Sequence, residues 1–166
     1  MTKFLVTHTG QKLAYSFTKG VGPTIIFLGG FKSDMEGSKA IFLEKWAKKR
    51  NRSFLRFDYS GHGHSSGDFL SLGIGDWFND AKQIIELTKN NELILIGSSM
   101  GGWISLLLSR ELGSRLKGLI TIAAAPDFTE ESMWKNFTED QKKEVLNKGV
   151  LYLPSDYGEP YPITRY

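Results

Sequence analysis

A chain of 166 residues, 40% apolar and 23% charged, is long enough for one globular core, and its net charge of +3 is too small to mark a nucleic-acid-binding surface. The absence of cysteine excludes disulfides, thiolate metal sites and a cysteine nucleophile, and it fits a reducing compartment. No apolar stretch is long enough to span a bilayer and the N-terminus lacks a signal-peptide core, so a soluble, cytoplasmic protein is expected.

Residues 4–7 and 12–18 read as short strands, the second alternating through Leu13, Tyr15 and Phe17. Gly20-Val21-Gly22-Pro23 predicts a turn. The continuously apolar run 24–28 predicts a strand buried on both faces. Residues 37–50 predict a helix with Ala40, Leu43, Trp46 and Ala47 on its inner face. It closes on Lys48-Lys49-Arg50-Asn51-Arg52, where cations complement the helix dipole. A second buried strand, 53–57, ends at Asp58 and leads into the loop Tyr59-Ser60-Gly61-His62-Gly63-His64-Ser65-Ser66-Gly67. Ile74, Trp77, Phe78, Ala81, Ile84, Ile85 and Thr88 then recur at helical spacing. Residues 92–96 predict a third buried strand, 103–112 an almost wholly apolar helix with Gly113 as its C-cap, and 117–124 a fourth buried strand.

This alternation specifies an α/β fold with a mostly parallel central sheet and helices on both faces. After Pro126 the chain turns polar. Residues 127–149 predict two short helices outside the sheet, with capping boxes at Asp127-x-x-Glu130 and Thr138-x-x-Gln141. Residues 154–166 show no regular pattern. The expected division is a core, 1–126, followed by the start of a helical cap and an irregular tail, 127–166.

Gly97-Ser98-Ser99-Met100-Gly101 matches G-x-S-x-G, and it stands where that pattern carries chemistry, between a buried strand and a buried helix. A serine there sits on a cramped bend that lifts its hydroxyl above the strand ends. The residues two before and two after must be small, and Gly97 and Gly101 meet that demand. Ser98 is the alternative nucleophile by composition, but only Ser99 has glycine on both sides at that spacing. Acyl transfer also needs two N–H groups aimed at the developing oxyanion. Met100, directly after the serine, supplies one. The loop Gly29-Gly30-Phe31-Lys32-Ser33 is placed to supply the other, from Phe31 or from its neighbours Gly30 or Lys32.

A serine nucleophile needs a base, usually histidine. The histidines are His8, His62 and His64, and none follows Ser99, although serine, acid, histidine is the chain order of this elbow. His62 is read first as a brace of its loop and second as a substitute base. Asp127, just past the fourth strand, is the corresponding substitute acid. No cofactor is expected. No metal-ligand cluster stands out, and the phosphate-binding glycine patterns are incomplete.

The chain resembles one branch of the α/β hydrolases, the abhydrolase-domain acyl-protein (palmitoyl) thioesterases and acyl-glucuronide esterases with their bacterial relatives. The matching pieces are Arg56-Phe57-Asp58-Tyr59-Ser60-Gly61-x-Gly63-x-Ser65-Ser66, Gly97-Ser98-Ser99-Met100-Gly101-Gly102-Trp103, Ser33-Asp34-Met35-x-Gly37-x-Lys39-Ala40, and Lys142-Lys143-Glu144-Val145 with Lys148-Gly149-Val150. The resemblance implies hydrolysis of a small acyl ester or thioester, including one carried on a protein, through an acyl-enzyme. It also implies that similar chains continue past the equivalent of Tyr166 with the last strands, the acid and the histidine. A eukaryotic member would work in the mitochondrial matrix after loss of its transit peptide. Two functions follow as expectations: a serine esterase or thioesterase, and a truncated, non-catalytic hydrolase fragment. Trp134, Phe137, Val145 and Leu146 are candidates to line an acyl pocket, or to pack the cap helices together. A sheet without its closing strands is expected to associate.

Overall fold

The computed structural model describes residues 2–89, 91–154 and 159–165. A six-stranded sheet is ordered β1-β2-β4-β3-β5-β6, from β1 (Lys3–Val6), β2 (Lys12–Thr18), β3 (Val21–Leu28), β4 (Arg52–Phe57), β5 (Leu93–Ser98) and β6 (Leu116–Ile122). β1, β2 and β4 pair antiparallel, whereas β4, β3, β5 and β6 run parallel. Each parallel step is bridged by a helix: α1 (Ser38–Lys49), α2 (Ile74–Glu86) and α3 (Met100–Leu112). This is the mostly parallel sheet bridged by helices that the alternation of strands and helices predicts, and it is the fold that the resemblance implies.

Side chains alternate across the sheet, so adjacent apolar residues feed two cores. Ile26, Leu28, Leu55 and Leu95 pack with α2 and α3 through Trp77, Ile84, Ile104 and Leu108. Ile25, Phe27, Phe54 and Ile96 pack on the other face against Ala40 and Ala47 of α1. Among the described residues no helix is long and apolar enough to cross a membrane.

Several expectations are corrected. Residues 21–23 are the start of β3 rather than a turn. A Cβ at Gly20 would overlap the Arg52 backbone, and Gly22 has φ +74° beside a register shift, so these glycines mark close backbone approach and a bulge. The fourth parallel strand is not buried. Among the described residues β6 has only β5 as neighbour, and Ile120 is 51% exposed. On α1, Trp46 faces outward and the buried positions are Ala40, Glu44 and Ala47. The tail is not irregular throughout, because Tyr161–Thr164 forms a strand, β8, antiparallel to β7 (Val150–Leu153). Pro162 hid it, since proline argues against a strand except at an edge or in a two-stranded ribbon. The Thr138 capping box forms and opens α4 (Glu139–Lys148). The one at Asp127 does not: Asp127 has φ +51° and its carbonyl oxygen accepts the Glu130 and Glu131 N–H groups.

Candidate active site

β5 ends at Ser98 and α3 begins at Met100, so Ser99 alone makes the bend. Its backbone, φ +54° and ψ −119°, is one that non-glycine residues adopt only under constraint. The constraint is visible. The Ser99 N–H donates to the Ile122 carbonyl at 3.0 Å, and the Ser99 carbonyl accepts N–H groups of Gly102 at 2.8 Å and Ala125 at 3.2 Å. Ser99 is exposed between two buried neighbours, Ser98 and Met100.

The flanking glycines are required by packing. A Cβ at Gly97 would overlap the Gly101 carbonyl and the Ser105 hydroxyl, and one at Gly101 would overlap the carbonyls of Leu28 and Gly29. The start of α3 therefore lies directly on the end of β3. That contact brings the 29–33 loop against the bend, with Gly30 next to the Ser99 Cβ. Lys32 is also held at φ +54°.

Ser99 and Phe31 line one cavity of about 310 Å³, together with Ser33, Lys39 and the apolar side chains Phe128 and Met133. The N–H groups of Met100 and Phe31 have no acceptor among the described residues. The Lys32 N–H is occupied, since it donates to His62 Nε2 at 3.2 Å. Of the three loop residues considered, Lys32 is therefore the one that the structure removes as an oxyanion donor. Phe31 is fixed edge-on against Phe69, Trp77 and Phe128, with ring centroids 5.2, 6.0 and 6.1 Å away.

His62 is 4% exposed and both its nitrogens are engaged. Nδ1 lies 3.1 Å from the Ser60 carbonyl, to which it donates, and Nε2 accepts from Lys32. Burial lowers its pKa, against the Ser60 hydrogen bond, which raises it, and the Lys32 charge adds to the lowering. A neutral, doubly bonded imidazole outside the Ser99 cavity is a brace and has no free nitrogen for a proton from serine. Asp127 is exposed and does not line the cavity either.

Two carboxylates that hold this region went unread in the sequence. Asp58, 1% exposed at the end of β4, accepts the N–H groups of Met35 at 2.5 Å and His64 at 2.8 Å. Burial raises its pKa, partly offset by those bonds. Asp80 accepts the Ser60 N–H at 2.8 Å, and burial raises its pKa too. The available signal was a carboxylate on the apolar stripe of α2, three residues after Trp77. Of the four residues considered for an acyl pocket, none lines the Ser99 cavity. Phe137 and Val145 are buried with Leu151, Trp134 packs on them, and Leu146 is exposed.

Residues 23–156 match the family model described as serine aminopeptidase, S33. The chain is 37% identical over 156 residues to the rat mitochondrial palmitoyl-protein thioesterase ABHD10, covering 94% of this chain and 52% of that protein. The human protein of the same name is 39% identical over 147 residues, or 89% of this chain and 48% of that one. The chain thus spans about half the length of these curated relatives. A putative hydrolase from Agrobacterium vitis S4 superposes with TM-score 0.93 at 33% identity, covering 99% of this chain and 68% of that one. Mouse alpha/beta hydrolase domain-containing protein 10 superposes with TM-score 0.87 at 34% identity, covering 99% and 66%. With the sheet order, the bend at Ser99 and these likenesses together, the chain belongs to the serine aminopeptidase S33 family of α/β hydrolases.

Proposed function

We propose that this chain is the nucleophile-bearing part of a serine hydrolase that cleaves a carboxylic ester or acyl thioester through an acyl-enzyme on Ser99. The observation that carries the reading is the exposed Ser99 hydroxyl on a constrained bend, with the unengaged N–H groups of Met100 and Phe31 beside it. Ser99 Oγ attacks the acyl carbon, and its proton passes to a general base. The carbonyl oxygen becomes an oxyanion against the two N–H groups. The C–O or C–S bond to the leaving group then breaks, and the leaving group takes the proton. Water attacks the acyl-enzyme in a second, equivalent step and restores Ser99. The base is not His62, whose nitrogens are both in use.

The acyl part lies against Phe31, Phe128 and Met133, which line both the Ser99 cavity and an adjoining apolar hollow that reaches Trp77. An acyl group on a protein is a substrate in keeping with the relatives' name, palmitoyl-protein thioesterase. Their mitochondrial label and the absence of cysteine suit a reducing interior, cytoplasm or matrix, as the place of work.

A second reading, a non-catalytic hydrolase fragment, is favoured by the absence of any histidine from the Ser99 cavity. A fluorophosphonate probe separates the two. Covalent labelling of this chain, lost in Ser99→Ala, supports the hydrolase. No labelling here and none in a chain extended to the relatives' length would sink it.

A further inference from the structure

We propose that the outward face of α1 docks the chain on the surface of an anionic lipid bilayer, whatever the chemistry at Ser99.

α1 buries Ala40, Glu44 and Ala47 against the sheet, so the residues on its opposite side face solvent. There Phe42 is 69% exposed, and Trp46, one turn on, is 37% exposed. Single exposed apolar residues are ordinary, but two large aromatic side chains a turn apart form a ridge. Lys45 and Lys49 stand beside them, exposed and also one turn apart. The Arg50 guanidinium lies 4.9 Å from the centre of the Trp46 ring.

The exposed charge on this segment has one sign. Residues 38–50 carry Lys39, Lys45, Lys48, Lys49 and Arg50, with Glu44 as the sole carboxylate. Glu44 is buried under the helix and pairs with Arg56 at 3.0 Å and Lys48 at 3.2 Å. Those are the ion pairs of α1 among the described residues, which leaves Lys39, Lys45, Lys49 and Arg50 with no carboxylate close enough to neutralise them. The helix dipole accounts for Lys48 and Lys49 in the last turn, but not for Lys45 or for the aromatic pair.

The apolar part of this face continues onto the sheet. Ser16 and Thr18 of β2 donate to Glu44, which places them on the α1 side, and Lys12 and Ala14 alternate onto that side with them. Phe4 and Val6 of β1 pair directly with Ala14 and Lys12, so they point the same way, 54% and 63% exposed.

Aromatic rings flanked by Lys and Arg, on a helix anchored by its other face, suit the boundary of a bilayer. The rings enter the headgroup layer and the cations attract anionic lipid. A single-stranded nucleic acid binds in a groove that follows its backbone, whereas this face is the convex surface of one helix. Trp46 is about 10 Å along the helix from Lys39. Lys39 lines the Ser99 cavity, so docking along α1 holds that cavity beside the lipid.

Flotation of the full chain with phosphatidylcholine vesicles, with and without phosphatidylglycerol, tests this, because aggregated protein does not float. Binding is expected to the anionic vesicles alone, and high salt should abolish it. Lys45→Gln and Lys49→Gln, at exposed positions, should each weaken it about fivefold, the share of one cation near a charged surface. Phe42→Ser should weaken it by a similar factor, which a purely electrostatic contact would not show. Thermal melts matching the parent's show that the variants are folded, and the lipid and salt dependence of the parent chain tests the proposal without them. Absent binding, equal binding to neutral vesicles, or binding unchanged in the double variant Lys45→Gln, Lys49→Gln overturns the proposal. Tighter binding of a single-stranded oligonucleotide or of polyglutamate than of the anionic vesicles overturns the assignment to a bilayer.

Discussion

At the scale of single residues, the site is defined by what cannot be larger and by what holds a strained turn. A methyl group at position 101 would meet the backbone carbonyls of Leu28 and Gly29, which cannot rotate aside. Gly101→Ala is therefore expected to destabilise the fold by about 3 kcal/mol or more, the upper range for overpacking. Gly149 provides the contrast. It is a left-handed C-cap with nothing near its missing Cβ, so Gly149→Ala should cost only about 1 kcal/mol. Urea melts of the two variants check the difference. His62 fixes Lys32 from outside the cavity. His62→Phe keeps the ring packed 5.1 Å from Phe69 and Trp77 but strands the Lys32 N–H, a loss of about 1–3 kcal/mol. The pH sign follows from its lowered pKa: the unfolded chain takes up the proton first, so stability falls as pH drops below the unfolded value of 6.5. Thermal melts from pH 8 to 5 should show that slope in the parent chain and a shallower one in His62→Phe.

At the scale of elements, α1 is anchored by charge as well as by apolar burial. Glu44 accepts from Arg56 Nε at 3.2 Å and Nη2 at 3.0 Å, and from the hydroxyls of Ser16 and Thr18, linking α1 to β4 and β2. Arg56 also donates to the Met35 carbonyl at 2.8 Å, at the turn that precedes α1. Without Arg56, Glu44 keeps the Ser16 and Thr18 hydroxyls and Lys48 at 3.2 Å, so Arg56→Met is expected to destabilise by about 1.5–3 kcal/mol, the cost of losing hydrogen bonds to a charged group. The double variant Arg56→Met, Glu44→Leu should recover part of that loss, and a double-mutant cycle from denaturant melts reads it. Burial raises the Glu44 pKa, but the Thr18 hydrogen bond and the Arg56 charge outweigh it and leave the carboxyl low. Its stabilising contribution is thus present above 4.5 and lost as pH falls through the lower folded value.

At the scale of the whole molecule, the sheet ends abruptly at β6. Among the described residues that strand is paired on one side only, and Ile120, 51% exposed, stands on it beside Ile96 on the face of the sheet that carries α1. Open strand edges with apolar side chains recruit further strands. The 166-residue chain is expected to self-associate in sedimentation velocity, and Ile120→Lys to reduce that association. A monodisperse parent chain at high concentration would contradict this. The other edge, β1, is also open, and it too carries exposed Phe4 and Val6.

The alternation of apolar runs and helical stripes was local information, and it sufficed for the sheet, its helices and the position of Ser99. Runs such as 24–28 and 92–96 have few alternatives to a doubly covered strand, and glycine at both 97 and 101 admits little but a tight bend. Contacts between distant segments decided the rest. Glu44 is buried because Arg56 arrives opposite it, His62 is a brace because Lys32 presents an N–H to it, and β6 lies at an edge because no later strand pairs with it among the described residues. Burial of a polar group depends on a partner that neighbouring residues do not specify, whereas an apolar period depends only on the chain's own repeat. That is why the elements could be read in sequence and the polar anchoring of the site could not.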